Sequence, residues 1–266
     1  PVSLLLPVVH AARWRLLLRS VGSRLSFGAA LDLTVTSSLL NYAAPGGYLW
    51  GPAKGLLARG GHGVALGRST PTLVAEQGLD SLALVVGVCV GLLFSGGEIA
   101  ANVVGGFDTP PLWFVAFALP AMAIVAIVIM QLGRRYARGF ISSVWASTLS
   151  LVHDHQARFP VLALTAARWC LDVAAVWLSA RAVGVSLDFS GGVLLSNLPL
   201  LVGLLSPMPG GLGFREGAMV VVGAALGVAS GTILAAAVLH RVLLVVTLPV
   251  DMMAVRLAGR LGYGAA

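Results

Sequence analysis

Residues 111–132 form an apolar run without a charged side chain, long enough to cross a bilayer as one helix. In hydrocarbon every backbone N–H and C=O must be hydrogen-bonded within the protein, so a spanning segment of this length is helical. Only 10% of all residues are charged, whereas a soluble domain carries about 25%. The sequence therefore predicts an all-α fold, a polytopic membrane helical bundle.

A second feature is the segment 207–217, which interrupts this apolar pattern with prolines, glycines, Arg215 and Glu216. Proline cannot continue a helix and glycine permits a positive φ, so the backbone is expected to break here. A broken and charged backbone persists at membrane depth only where it is packed in protein or lines a polar cavity. We predict a functional site at this break; the alternative is a tight helix–helix turn.

Apolar periodicity and helix-breaking residues divide the chain further. The predicted helices cover residues 1–20, 26–44, 48–61, 66–95, 111–132, 158–183, 189–206, 215–226 and 229–257. Residues 139–156 are too short and too polar to span comfortably, which favours an interfacial amphipathic helix. Because the run before Arg13 is also too short to span, we expect residues upstream of Pro1.

The two halves of the chain share a sequence pattern. Pro45-Gly46-Gly47 recurs as residues 209–211. Residues 63–67 recur as residues 227–231 at the same offset along the chain. This pattern indicates a duplication, in which each copy contains a broken or re-entrant Pro-Gly-Gly hairpin. The predicted domains are a first membrane repeat at 1–138, a linker helix at 139–157 and a second membrane repeat at 158–266.

Charge gives the expected orientation of the repeats. Basic residues lie at the ends of apolar runs, as the positive-inside bias predicts, and both ends of 26–61 are basic and hence cytoplasmic. The acidic loop at 96–110 is then external, and three crossings separate the starts of the repeats. An odd count makes the repeats inverted, as in many secondary transporters. If residues 139–156 span the membrane, the halves are parallel instead.

Candidate substrate-binding residues follow from the two breaks. Arg215 can grip a phosphate bidentately, and Glu216 could balance it or pair with Lys54 from the other half. The alternatives are a structural ion pair at Arg215 and Glu216, and a surface anchor at Lys54. Asn41 is expected to cap or staple the first hairpin; a contact with substrate is the less favoured alternative. The full set is Arg215, Glu216, Lys54, Gly210, Gly211, Gly213, Asn41, Pro45 and Gly46.

Four further polar residues inside apolar helices are candidates for ion coupling: Glu76, Asp80, His240 and Arg241. Glu76 and Asp80 lie one turn apart on one helix face, where they could bind protons or pair with Arg215. Salt bridges from this carboxylate pair to Arg68, Arg59 or Arg241 are the structural alternative.

Other polar residues are expected to be structural. The sequence predicts an ion pair between Arg168 and Asp172, and Asp32 requires a partner elsewhere in the bundle. Cys89 and Cys170 are predicted to be small core residues. The five histidines lack metal-ligand spacing, and no nucleophile elbow, phosphate loop or dinucleotide fingerprint occurs. We therefore expect neither a metal, nor a cofactor, nor an enzymatic activity. The sequence also lacks a basic cluster with interleaved aromatic residues, the pattern that would indicate nucleic-acid binding.

Several of these residues together resemble the lysylphosphatidylglycerol synthase transmembrane-domain family. The resemblance rests on Arg13-Trp14 with Leu17-Leu18, Asn41 with Pro45-Gly46, Glu76 with Asp80, and residues 209–213 with Arg215-Glu216. It implies a module, also found in the bacterial multiple-peptide-resistance protein, that moves aminoacylated or glycosylated lipids between leaflets. One departure is that residues 48–54 contain Lys54 but no acidic residue, where the family carries both an acid and an arginine.

Together these features predict a multi-pass protein of the bacterial cytoplasmic (inner) membrane that flips a phosphate-bearing lipid at a midplane site by alternating access. The partner is then the lipid substrate itself. The alternative is a non-catalytic module that serves a separate lipid-modifying aminoacyl- or glycosyltransferase. We expect no aminoacyl-transferase domain after Ala266 and hence no lysyl transfer by this chain.

Overall fold

The computed structural model describes residues 2–43, 50–104, 155–206 and 208–260, and these ranges contain helices and turns but no strand. The first half contains α1 (Val2–Ser20), α2 (Phe27–Ala43), α3 (Trp50–His62) and α4 (Leu66–Val104). The second half contains α5 (His155–Ala182), α6 (Phe189–Leu205), a 3₁₀ turn (Pro209–Gly211), α7 (Phe214–Ala225) and α8 (Ser230–Arg260). The all-helical prediction is confirmed for this part of the chain.

Three of the described helices are long and apolar enough to cross a membrane. These segments are Leu66–Gly97, Arg158–Ala182 and Ser230–Leu257. α6 is a shorter apolar helix of 17 residues. Since a span needs about 20 apolar residues, α6 reaches only part of the way across if it lies along the membrane normal.

Glycines end the helices at matching places in the two halves. α1 and α5 are followed by Gly22 and Gly184, whose φ values are +73° and +85°. α3 and α7 are followed by Gly63 and Gly227, with φ values of +65° and +76°. A left-handed residue at this position satisfies the last helix carbonyls, and glycine adopts that conformation without steric cost. Helix order and turn geometry therefore agree between the halves.

The starts of α2 and α6 are capped in the same way. Ser26 Oγ accepts a hydrogen bond from Ala29 N at 3.3 Å, and Asp188 Oδ1 accepts one from Gly191 N at 2.8 Å. Hydrogen bonds from Ser190 and from nearby backbone N–H groups lower the pKa of Asp188. The cap is therefore charged at neutral pH, and its stabilising effect is lost only as acid protonates the carboxylate.

Each half has its own apolar core. In the first half Trp14 is fully buried and packs with Ala11, Leu33 and Leu73. In the second half the core includes Val176, Leu194, Leu195, Met219 and Ile233. The halves also interlock, because α4 packs along α6 and α1 packs along α5.

The boundaries require two corrections. α4 runs to Val104, so the first part of the predicted acidic loop at 96–110 is helical, and α5 begins at His155 inside the predicted linker 139–157. The predicted helix at 111–132 lies outside the described residues, as do Pro45 and Gly46 of the first break.

Cys89 and Cys170 are exposed rather than core residues. The prediction failed because the outer surface of a membrane bundle is itself apolar. An apolar neighbourhood in the sequence therefore does not distinguish a core position from a lipid-facing one.

Candidate functional site

A cavity of about 260 Å³ lies between the two halves, and each of the eight described helices contributes to its lining. Its acidic and basic lining residues are His10, Asp80, Arg168, Asp172 and Arg215. A polar cavity at the junction of several helices is a common place for a ligand site in a helical bundle. The state of each of these charges decides which ligand the cavity can accept.

Asp80 is the centre of a buried ion-pair network beside the cavity. Arg13 binds it bidentately, with Nη1 2.5 Å from Oδ1 and Nη2 2.9 Å from Oδ2. Arg168 approaches from α5, with Nη1 2.6 Å from Asp80 Oδ2 and Nη2 3.5 Å from Asp172 Oδ2. The predicted pair of Arg168 and Asp172 is confirmed, but Arg168 is also bound to Asp80 on the other half.

Glu76 extends the same network away from the cavity. Its side chain is fully buried and lies 3.0 Å from His10 Nε2, 3.4 Å from Arg13 Nη2 and 3.3 Å from Lys54 Nζ. The Lys54 ammonium also sits 4.2 Å from the centre of the Trp14 ring, a favourable cation–π arrangement. Lys54 has 0% exposure and does not line the cavity, so it neither reaches the surface nor joins Arg215.

The network balances its own charge. Arg13, Lys54 and Arg168 supply three positive charges, and Glu76, Asp80 and Asp172 supply three negative ones. Removing one partner from such a buried set leaves an uncompensated charge, which is strongly unfavourable. The described network therefore has no free cation to offer a ligand.

The predicted partners of Glu76 and Asp80 were wrong: neither Arg59, Arg68 nor Arg241, nor Arg215, contacts them in the described part of the chain. Their partners are instead Lys54, Arg168 and two residues of α1, Arg13 and His10. Helix α1 packs beside α4 although it is more than 60 residues away in sequence. Asp32 finds a distant partner too, Arg256 on α8 at 3.8 Å.

Arg215 is the exception among the charges around the cavity. Its Nη2 lies 2.9 Å from His240 Nε2, and no carboxylate among the described residues lies within 4 Å of its guanidinium. Because arginine has no acceptor, His240 Nε2 must accept this hydrogen bond, and the imidazole is neutral. Arg215 therefore brings an unbalanced positive charge to the cavity wall.

Glu216 is held by the loop and by α8. One of its oxygens pairs with Arg241 Nε, and the other accepts a hydrogen bond from Gly213 N at 2.7 Å. Arg241 Nη2 also donates to the Gly210 carbonyl at 3.1 Å. Glu216 thus pairs within its own half, and the expected pair with Lys54 is not formed. We call Glu216, Arg241 and the Gly210 carbonyl the loop clamp.

The backbone between α6 and α7 is broken, as the sequence predicts. Gly210, Gly211 and Gly213 have φ values of +54°, +71° and +80°. A Cβ atom on Gly210 would lie 2.8 Å from the Tyr42 ring, and one on Gly211 would lie 2.8 Å from Gly203 Cα. Only glycine fits at these two positions, and the close approach to Tyr42 brings the loop against α2 of the first half.

The predicted site residues therefore occupy three different environments. Arg215, Gly210, Asn41 and Asp80 line the cavity. Lys54, Glu76 and His240 are buried behind it, whereas Glu216 and Arg241 hold the loop. Sequence reasoning assigned no substrate role to His10, Tyr42, Trp169 or Arg168, which also line the cavity. A sequence signal existed only for Arg168 and Trp169, because the pair Arg168-Trp169 repeats the pair Arg13-Trp14 of the first half.

Comparison with known proteins identifies the family. The transmembrane region of lysylphosphatidylglycerol synthase matches residues 2–249. The chain belongs to this family. Over 74 residues it is 35% identical to a UPF0104 membrane protein of Methanothermobacter thermautotrophicus, a match that covers 28% of this chain and 21% of that protein. No solved structure matches the chain. The family and the apolar helices make it a multi-pass membrane protein.

Proposed function

We propose that the protein moves a phosphate-bearing lipid between the leaflets of the bacterial inner membrane. The observation that carries this proposal is Arg215, the unbalanced cation on the wall of the cavity that the described residues form. A guanidinium presents two parallel N–H donors to a phosphate and keeps its charge at any physiological pH. An aminoacylated phospholipid or a lipid-linked sugar would supply such a phosphate.

The charge balance of the cavity favours an anionic group. Taking a cation out of water without a counter-ion is unfavourable, and Arg215 is half-buried with no carboxylate within 4 Å among the described residues. A phosphate beside Arg215 would offset that cost, whereas the paired cations Arg168 and Arg13 have no such deficit. α7 begins at Phe214, so its helix dipole would add positive potential near the same place.

Other residues have supporting roles in this proposal. Asn41 and Tyr42 line the cavity beside Arg215 and Gly210 and would contact the head group. Protonation of Glu76 or Asp80 would unbalance the ion-pair network, so these carboxylates would be the place of any ion coupling. The loop clamp would hold Gly210 and Arg215 in position.

The agreement between the halves supports an alternating-access mechanism. Arg15 Nε donates to the Leu25 carbonyl at 3.1 Å, and Trp177 Nε1 donates to the Leu187 carbonyl at 3.2 Å, each across the first turn of its half. With the matching helix ends and caps, these bonds support a duplication. We propose that the copies are inverted, that their broken hairpins are re-entrant, and that rocking of one half exposes the cavity to each leaflet in turn.

Lipid exchange in proteoliposomes tests the function. Fluorescent lipids with anionic, lysyl and polyprenyl-phosphate head groups would be followed between leaflets for the wild type, Arg215→Ala and Arg215→Lys. Arg256→Gln is the matched control, since the Arg256 side chain is 61% exposed and does not line the cavity. We expect exchange of one head-group class, lost in Arg215→Ala and reduced in Arg215→Lys, but kept in the control.

Two results would contradict the proposal. Exchange that survives Arg215→Ala would remove Arg215 from the site. No exchange of any of these lipids by folded wild-type protein would favour the other function, a membrane module that serves a separate lipid-modifying transferase.

A further inference from the structure

A second pocket lies at one end of the first half, away from the central cavity. It is formed by two neighbouring turns, residues 22–24 between α1 and α2 and residues 62–65 between α3 and α4, together with Arg68. The pocket has a volume of about 390 Å³. Arg68 Nη1 donates to the Gly22 carbonyl at 3.3 Å and so joins the two turns.

The pocket is basic and has no acidic partner in the described part of the chain. Arg24, His62 and Arg68 line it, and all three side chains are exposed. None of them has a carboxylate within 4 Å among the described residues. Asp32 is the only acidic residue in the sequence before Glu76, and it pairs with Arg256. Three basic side chains thus share one concave surface, and no acidic side chain of the described residues neutralises them.

The second half shows that the turns do not need these bases. Its two turns have left-handed glycines in the same places, Gly184 and Gly227. Counted from those glycines, the positions of Arg24, His62 and Arg68 are occupied by Ser186, Leu226 and Thr232. All three of these residues are neutral, yet the helices before and after them keep the same order. The fold alone therefore does not account for the bases of the first half.

The position of the pocket indicates which anion it meets. The candidate span Leu66–Gly97 begins directly after Ala65 of the pocket wall. An end of a spanning segment lies at the level of the lipid head groups, where basic residues attract anionic lipids. The phosphate that is most abundant at this depth belongs to a membrane phospholipid.

We propose that Arg24, His62 and Arg68 form a binding site for the phosphate of an anionic phospholipid, separate from the transport cavity. A lipid bound there would fasten the α1–α2 turn to the α3–α4 turn and anchor this end of the first half in one leaflet. This site does not depend on the proposed transport function, because it shares no residue with the central cavity.

Binding of a soluble short-chain phosphatidylglycerol to delipidated protein in detergent tests the site, with the rise of the thermal midpoint as the readout. The test variant is Arg24→Gln/Arg68→Gln. The matched control is Arg19→Gln/Arg59→Gln, which removes two exposed arginines from the last turns of α1 and α3, outside the pocket. We expect the apparent affinity to fall about fivefold for each pocket arginine and to change little in the control.

Additional arms distinguish phospholipid binding at this pocket from misfolding and from general charge effects. Arg24→Gln alone removes no hydrogen bond or ion pair of the described residues, so it keeps the test valid if loss of the Arg68 bond to Gly22 disturbs folding. Arg215→Ala should keep the phosphatidylglycerol effect, since that residue lies in the other cavity. Inorganic phosphate and short-chain phosphatidylcholine should give smaller shifts. Equal losses in the pocket and control variants, or a larger effect of inorganic phosphate, would overturn the proposal.

Discussion

Among single residues, Lys54 and Arg215 are cations that differ in burial and in their partners. Lys54 is fully buried, pairs with Glu76 and lies over Trp14, so its charge is part of the folded structure. Arg215 has a neutral imidazole as its hydrogen-bond partner, so its charge is not required by any carboxylate of the described residues. Stability and function are therefore expected to depend on different residues of the set that the sequence singled out.

Replacing each of these two cations tests this distinction. Lys54→Met leaves Glu76 with less positive charge around it, so it should destabilise the protein by about 3 kcal/mol. Arg215→Met removes a half-buried charge that has no carboxylate partner among the described residues, and it should leave stability unchanged or raise it. The thermal midpoints of both variants in detergent check this, and a loss of stability in Arg215→Met as large as that in Lys54→Met would contradict it.

At the scale of elements, the loop between α6 and α7 depends on the loop clamp. The glycines allow the backbone to turn sharply, but they also make the loop flexible when nothing holds it. The Glu216 carboxylate accepts a hydrogen bond from Gly213 N, and Arg241 donates one to the Gly210 carbonyl. Hydrogen bonds with one charged partner are among the stronger ones. These two bonds fix the position from which Arg215 enters the cavity.

Glu216→Gln weakens the clamp without changing the size of the side chain. Loss of a charge-assisted hydrogen bond of about 1.5–3 kcal/mol should speed hydrogen exchange of the amides at 210–213 by at least about tenfold. Peptide-resolved hydrogen exchange measures this effect. Asp188→Asn, which changes a carboxylate at the start of α6, is the control and should leave the loop unaffected.

The crossing of α4 and α6 gives a second prediction at this scale. A Cβ atom on Gly91 would lie 2.8 Å from Leu194 Cβ and 3.1 Å from Leu194 backbone atoms. Gly91→Ala should therefore destabilise the protein by about 1–3 kcal/mol through overpacking. Gly78 on the same helix has open space around it, so Gly78→Ala should be neutral or stabilising. Similar thermal midpoints for the two variants would refute this account of the crossing.

At the scale of the whole molecule, the two halves interlock but each keeps a core of its own. In the proposed mechanism one half rocks against the other around the cavity, and the ion pair of Arg168 with Asp80, which joins the halves, would have to rearrange. The mechanism also requires inverted copies, so that equivalent turns face opposite sides of the membrane.

Cysteine labelling tests the inversion directly. Single cysteines at Arg24 and Ser186, two equivalent exposed positions after Gly22 and Gly184, would be introduced after replacement of Cys89 and Cys170 by alanine. A membrane-impermeant maleimide should label the two sites from opposite sides. His62→Cys is the control and should react from the same side as Arg24→Cys. Labelling of Arg24→Cys and Ser186→Cys from one side would show parallel copies.

Sequence reasoning alone was sufficient for the helical class, for the approximate positions of the described helices and for the break at Pro209–Gly211. These properties depend on local chemistry: apolar runs must be helical in hydrocarbon, and proline and glycine act on their own backbone. It also identified the charged residues that have to be explained, since a charge inside an apolar helix is recognisable without any knowledge of its neighbours.

Which of those charges are paired became clear only from the packing of the helices. Arg13 reaches Asp80 across 67 residues and Arg241 reaches Glu216 across 25, distances over which no helical spacing rule applies. Pairing depends on which helix faces meet, and in an apolar bundle nearly every face looks alike in sequence. Lys54 and Arg215 were therefore both candidates in the sequence, whereas the fold buries Lys54 in a balanced network and leaves Arg215 at the cavity.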